Sequence, residues 1–230
     1  MTTIMRASTF AMTMALVCAL TAGCRSLPGP PETTDDGLER VASRKAGGVY
    51  RAPGATFIQY KKIMLEPLVV SFEKDWEKKN SNVRPGEIKR IREQAQEIFR
   101  DEFTREVIKR GKYEYADAPG PDVLMISPSL EDFDIIPENS DVDMKTLTPG
   151  PPKMELMSEL RDAATGTLVG RIIMFSGGDR YPFNELRPAN RATNAHEQHV
   201  AFSRYVVLVR EALNVAKTER PRPPKPPPEN

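Results

Sequence analysis

Apolar positions along this chain recur with two different periods, and the switches between them mark out the elements. Residues 63–72 are dense in Ile, Leu and Val and read as a strand, with Pro67 inside it signalling an edge position or a bulge. Beyond Pro85 the period changes. Ile88, Ile91, Ala95, Ile98, Phe99, Phe103 and Val107 follow one another at three- and four-residue steps, which predicts a helix with one buried face. Lys109 and Arg110 fall in its last turn and Gly111 is placed to cap it. A short strand is expected over 113–115. The turn Pro119-Gly120-Pro121 then leads into a longer strand from Val123 through Leu130 and Phe133. Residues 154–160 and 168–175 alternate apolar and polar, and Asp162-Ala163-Ala164-Thr165-Gly166 between them supplies turn chemistry, with Gly166 suited to positive φ. That is a hairpin. A last helix is expected over 193–217, burying Phe202, Val206, Val209 and Leu213. Residues 137–152 and 176–190 read as loops.

The resulting order is β-α-β-β-β-α. A tight hairpin pairs antiparallel, whereas a strand–helix–strand step is usually parallel. The expected fold is therefore α/β (α+β), a two-layer sandwich with a mixed sheet of about four strands and two helices on one face.

Outside this block the pattern is different. Arg6 precedes an apolar run from Phe10 to Ala22, and the small residues Ala22-Gly23 lead into Cys24. The layout is that of a secretory signal peptide, too short for a comfortable transmembrane helix. It resembles a bacterial lipobox, with Thr21 standing where such motifs usually carry Leu. The expectation is a signal peptide over 1–23, lipidation of Cys24 by acyl chains such as palmitate, and a Pro/Gly-rich tether over 24–49. A free tether of that length reaches about 25–30 Å. A single domain occupies 50–217. The tail over 218–230 is rich in proline and cannot build a core, so it leans to polyproline II and serves as a disordered or docking segment.

Composition narrows the class. The chain carries 33 basic and 32 acidic residues, a balance that argues against nucleic acid as a partner. Of its two cysteines, Cys18 lies in the signal and Cys24 would be acylated, which leaves no disulfide framework. No later apolar run approaches the roughly 20 residues that span a bilayer.

Tyr50-Arg51-Ala52-Pro53-Gly54-Ala55, Tyr60 and Lys62 before the first strand, Gly120-Pro121-Asp122-Val123-Leu124 and the hairpin around Asp162 resemble a family of bacterial lipoproteins, the domain of unknown function 3313. The resemblance implies an envelope lipoprotein and carries over no catalytic residue. It covers most of residues 50–216.

Candidate chemistry is thin. His196 and His199, in His-Glu-Gln-His, stand three residues apart on the last helix, one short of the zincin spacing and without a third histidine. They read as a polar helix start. The carboxylates of 131–134 and 138–143 lack the ladder and glycine of a calcium loop and read as a solvated rim. Ser176-Gly177-Gly178-Asp179 lacks the flanks of a nucleophile elbow. Phe57, Tyr60 and Trp76 are candidates for a ligand groove or for core. No catalytic, cofactor-binding or metal-binding residue is expected, and no cofactor.

The functional expectation is a lipid-anchored protein of the cell envelope, facing the periplasm from the outer membrane. Arg25 supports that destination by analogy, since inner-membrane-retained lipoproteins of enteric type commonly carry aspartate there. The expected role is non-enzymatic binding of an envelope protein or polymer. The alternatives are a carrier of a small or lipidic ligand and, third, an enzyme. They make different demands: an open apolar patch or sheet edge for the first, an apolar pocket of several hundred Å3 for the second, convergent titratable groups for the third.

Overall fold

Two strands stand ahead of the first one the sequence predicts. The computed structural model describes residues 31–41, 47–135, 137, 147–148, 153–176, 187–188 and 191–218. In it β1 (Glu39–Val41) and β2 (Gly47–Arg51) pair antiparallel, with Arg40 opposite Tyr50. Upstream, Thr33 bridges to Glu39 and the Arg40 amide donates to the Glu32 carbonyl at 2.8 Å. Residues 39–41 and 47–49 of the expected tether over 24–49 are therefore part of the sheet. Gly47 and Gly48 mark close approach here, because a Cβ at Gly48 would meet the Tyr50 ring at 2.3 Å.

Pro67 splits the next expected strand into β3 (Lys62–Leu65) and β4 (Val69–Phe72). Proline has no amide to give to the ladder, so pairing stops and restarts around it. A single turn, α1 (Trp76–Lys79), leads to α2 (Pro85–Phe103), which continues as a π-helical stretch over Thr104–Arg110. Gly111 ends it at φ −74, and the left-handed residue is Lys112 instead, at φ 57. Then come β5 (Glu114–Tyr115), β6 (Val123–Asp134), β7 (Leu147–Thr148), β8 (Lys153–Asp162), β9 (Leu168–Ser176), β10 (Arg187–Pro188) and α3 (Arg191–Thr218).

The protein is a mixed α+β fold. Its main sheet holds eight strands, not about four, in the order β1-β2-β9-β8-β6-β3-β5, with β4 also paired to β6; β7 and β10 form a separate ribbon. Both β3 and β4 run parallel to β6, and the other ladders of β6, β8, β9, β2 and β1 are antiparallel. The sheet is mixed because β4 reaches β6 through α2, whereas β8 and β9 are joined by a tight turn. The shortfall in the expected count has three sources: β1 and β2 lie in the stretch read as tether, β4 is severed by Pro67, and β5, inside the short strand expected over 113–115, stands outside the β-α-β-β-β-α order.

Every second residue of the central strands is buried, such as Leu156, Ser158 and Leu160 of β8 and Leu124, Ile126 and Leu130 of β6. These pack with one face of α2 and one face of α3 in a single core. Phe99 of α2 meets Phe202 of α3 edge to face at 5.8 Å. The Tyr205 hydroxyl donates to Ser158 Oγ at 2.8 Å, which gives a partner to the one buried hydroxyl on the covered face of β8.

The β8–β9 turn follows the sequence reading closely. Asp162 Oδ1 accepts from the amides of Ala164 and Thr165 at 3.1 and 2.9 Å, an Asx-type closure. Gly166 sits at φ +73 with open space where a Cβ would go. Gly166→Val is therefore expected to cost about 1–3 kcal/mol through backbone strain alone, whereas Ala163→Ser leaves the melting temperature where it is. Thermal melts of both variants check this, and equal effects would contradict it.

Candidate functional site

Where the edge of the sheet meets the end of α3, the two layers part. The groove between them has a volume of about 410 Å3 and opens to solvent along one side. Val41 and Val49 form one wall and sit opposite each other in the β1–β2 ladder. Leu208, Ala212 and Val215 of α3 contribute to the other, and Phe57, Leu160 and Leu213 also line it. Val215 is 43% exposed, unusual for a valine so close to a core. Polar groups reach the groove from Arg51, Glu211 and Asn214.

Helix α3 carries two apolar stripes, which explains how one helix serves both core and groove. Phe202, Val206, Val209 and Leu213 form the stripe predicted from spacing, all fully buried. Leu208, Ala212 and Val215 form a second at the same i, i+4, i+7 rhythm, turned toward the β1–β2 edge. Its last turn is pinned, because Lys217 Nζ lies 3.8 Å from the centre of the Tyr113 ring, a cation–π contact. Burial lowers the pKa of Lys217.

The strongest electrostatic cluster is elsewhere, at the junction of α2, its π-helical extension and α3. Glu102 and Glu106 are buried. Glu106 accepts from Arg110 at 2.6 Å and Arg210 at 3.1 Å, and Arg105 Nε lies 3.3 Å from its carboxylate; Arg105 also pairs with Glu102. For Glu106, burial pushes the pKa up, but the hydrogen bonds from Arg110 and Arg105 and the charges of Arg110 and Arg210 outweigh it. The net result lies below the ordinary value. Every partner of Glu106 is an arginine, a permanent cation, and the cluster acts as a clasp between helices.

His199 sits at the rim of that clasp, with Nδ1 3.3 Å from Glu102 Oε1, and both His196 and His199 are exposed. Among the described residues no three metal-ligating side chains converge. Gln198 between the histidines is buried with neither amide atom hydrogen-bonded. Glu131 and Glu155 face each other across β6 and β8, and Asp132 occupies a bulge at φ 50. Burial first, then the charges of Asp132 and Glu131, raises the pKa of Glu155. Residues 138–143, Gly177-Gly178-Asp179 and Cys24 lie outside the described residues.

Of the three aromatics weighed for a groove, only Phe57 lines one. Trp76 is core, its indole donating to the Ile135 carbonyl at 2.7 Å. Tyr60 donates to Asp162 Oδ2 at 3.0 Å, tying the chain after β2 to the hairpin turn; burial and this carboxylate push its pKa up to about 12. Sequence reasoning missed Val41, Val49 and Val215. The second stripe on α3 is visible in the sequence, but its opposite wall lies in a stretch whose glycines point to loose chain.

Fold and groove together define a mixed α+β domain with an apolar trench at one edge and its strongest charges committed to structure. The chain belongs to the DUF3313 family, described as proteins of unknown function, whose model matches residues 33–198. A search of curated proteins matched none. Among solved structures, two PelC dodecamers from Paraburkholderia phytofirmans are similar, one of them a variant. They share 11% and 9% identity, cover 71% and 70% of this chain and 97% and 96% of theirs, and each has a TM-score of 0.35.

Proposed function

We propose that this protein is a lipid-anchored cell-envelope adaptor, held through Cys24 at the outer membrane and facing the periplasm. It binds the apolar segment of an envelope protein in the groove between β1–β2 and α3, without catalysing a reaction. The observation that carries the reading is the groove itself, lined mostly by apolar side chains from both layers and partly open to solvent. A partly open apolar groove suits a side-chain-bearing segment of a larger partner. Its lining suits protein side chains better than a polysaccharide, whose dense hydroxyls would lose their hydration against valine and leucine. The arginines that surround Glu106 stay charged and supply no general acid or base there, which suits a structural role for that carboxylate.

One observation favours a second reading, a carrier of a small or lipidic ligand: about 410 Å3 falls within the range of small-molecule sites.

The test combines anchor and groove. Cys24→Ala is expected to abolish fatty-acid labelling. Val215→Asp, at a half-exposed position, is expected to stay within about 0.5 kcal/mol of the parent in stability yet fail to complement a deletion strain. Val69→Asp, 60% exposed at the other side of the sheet, serves as the control that still complements. Full complementation by Val215→Asp would sink the groove reading, and fatty-acid labelling of Cys24→Ala would sink the anchor.

A further inference from the structure

The groove ends where the described chain ends. Ala216 is its last lining residue, and α3 stops two residues later at Thr218. The Lys217–Tyr113 contact fixes that exit point. Twelve residues follow, Glu219 to Asn230, of which Pro221, Pro223, Pro224, Pro226, Pro227 and Pro228 are proline. We propose that this C-terminal segment of the same chain lies in the groove as a polyproline II ridge, occupying it until a partner displaces it.

Three physical arguments select the tail over other occupants. The first is the chemistry of the backbone. An ordinary extended segment brings an amide N–H at every residue, and a trench walled by valine and leucine leaves those donors unpaired at a cost. The six prolines bring none, and a polyproline II ridge has no internal hydrogen bonds to break. The second is reach. From Leu208 to Ala216 the α3 wall runs about 12 Å. Twelve residues of polyproline II cover about 37 Å, which leaves Glu219 and Arg220 free to make the turn back. The third is charge. Glu211 lies on the α3 side of the groove and Arg51 on the strand side, and the tail carries Arg220, Arg222 and Lys225, so Glu211 is the carboxylate its cations meet there. Tethering so close to the site puts the segment at an effective concentration on the order of millimolar, so even a weak intrinsic affinity keeps it docked.

The consequence for the proposed adaptor role is a threshold. A partner segment that needs the same trench binds with an affinity reduced by the fraction of chains whose groove is open. This last step rests on the groove being the partner site; the docking of the tail does not.

The experiment compares the full chain after signal cleavage with a version ending at Thr218. Methyl NMR signals of Val49, Leu213 and Val215 are expected to shift on truncation. A fluorescent synthetic peptide of residues 219–230 is expected to bind the truncated chain saturably and the full chain at least tenfold more weakly. Glu211→Arg in the truncated chain should weaken the peptide at least threefold, and a peptide carrying Arg222→Glu and Lys225→Glu should recover that loss. Identical methyl spectra, or no saturable peptide binding, would overturn the proposal. Methyl shifts that depend on protein concentration would also overturn it, since the occupant would then be a second copy. The Val215→Asp complementation test is independent: it can fail while the tail still docks, and it can succeed with the groove empty of tail.

Discussion

Phe202→Ala lowers the stability of the domain by about 3–5 kcal/mol, the expected cost of removing a large aromatic from a core that cannot collapse around the gap. Phe202 has no solvent exposure and meets Phe99 edge to face, and Phe99 in turn meets Phe103 and Tyr205. The lost ring therefore leaves a void bounded by other rings, each held by its own contacts. The backbone of α3 has little room to move in, because Tyr205 is tied to β8 and Arg210 to Glu106. Phe175→Ala is the matched control: the same change at a residue 60% exposed on β9 is expected to cost under about 1 kcal/mol. Urea melts of both variants decide it. Similar midpoints for the two would show that the α2–α3 aromatic contacts do not organise the core.

The second large effect depends on pH. Glu106→Gln keeps the shape of the side chain but removes the charge shared by Arg105, Arg110 and Arg210. At pH 7 this should cost about 1–3 kcal/mol, the range for charge-assisted hydrogen bonds lost at a buried site. The sign with pH follows from the direction of the shift. Folding holds the Glu106 pKa below its ordinary value of 4.5. Between the two values the unfolded chain binds more protons than the folded one, so the contribution is fully present above about pH 4.5 and is lost as pH falls through the folded value. The gap between parent and variant should therefore be widest near neutrality and close in acid. Stability curves for both proteins from pH 7 to pH 3 measure it. A gap that stays constant over that range would mean the carboxylate's charge is not what the clasp uses.

The sequence exposed elements whose local signals agree and hid those where one residue type argues in two directions. α2 was legible because seven apolar residues keep helical spacing, and six of them are buried in the structure, with Ile88 packed partly against the core. The hairpin was legible because alternation, Asp162 and Gly166 all point to the same turn. Gly47 and Gly48 argued the other way. Glycine usually marks loose chain, and here it marks the place where a tyrosine ring lies against the backbone and only hydrogen fits. Pro67 carried a correct warning of irregular pairing, but not that pairing would resume on the same neighbour, which depends on the long reach of β6. The candidate site suffered most. One wall of the groove is a helix stripe visible by spacing, and the other comes from Val41 of β1 and Val49 of β2, short strands whose character arises from pairing with each other and with their neighbours in the sheet. No local pattern can announce a wall made that way.

The stitching of residues 32–41 onto the sheet also decides how the molecule answers a pull on its N-terminus. Between Cys24 and the first described residue lie Arg25 to Pro30, so seven peptide steps, at most about 25 Å, separate the cysteine from Pro31. A load applied at Pro31 meets Glu32 and Thr33 first, in the outermost row of the sheet. The contacts there are the Arg40–Glu32 backbone bond, the Thr33–Glu39 bridge and the Thr34–Leu38 turn, loaded one after another. Leu38 is buried and Asp36 is held by Arg171, so they mark where such peeling would meet resistance. Under such tension the β1–β2 edge is expected to act as a fuse: its contacts are few and near the surface, and because Val41 and Val49 belong to it, opening would take down one wall of the groove before the core feels the force.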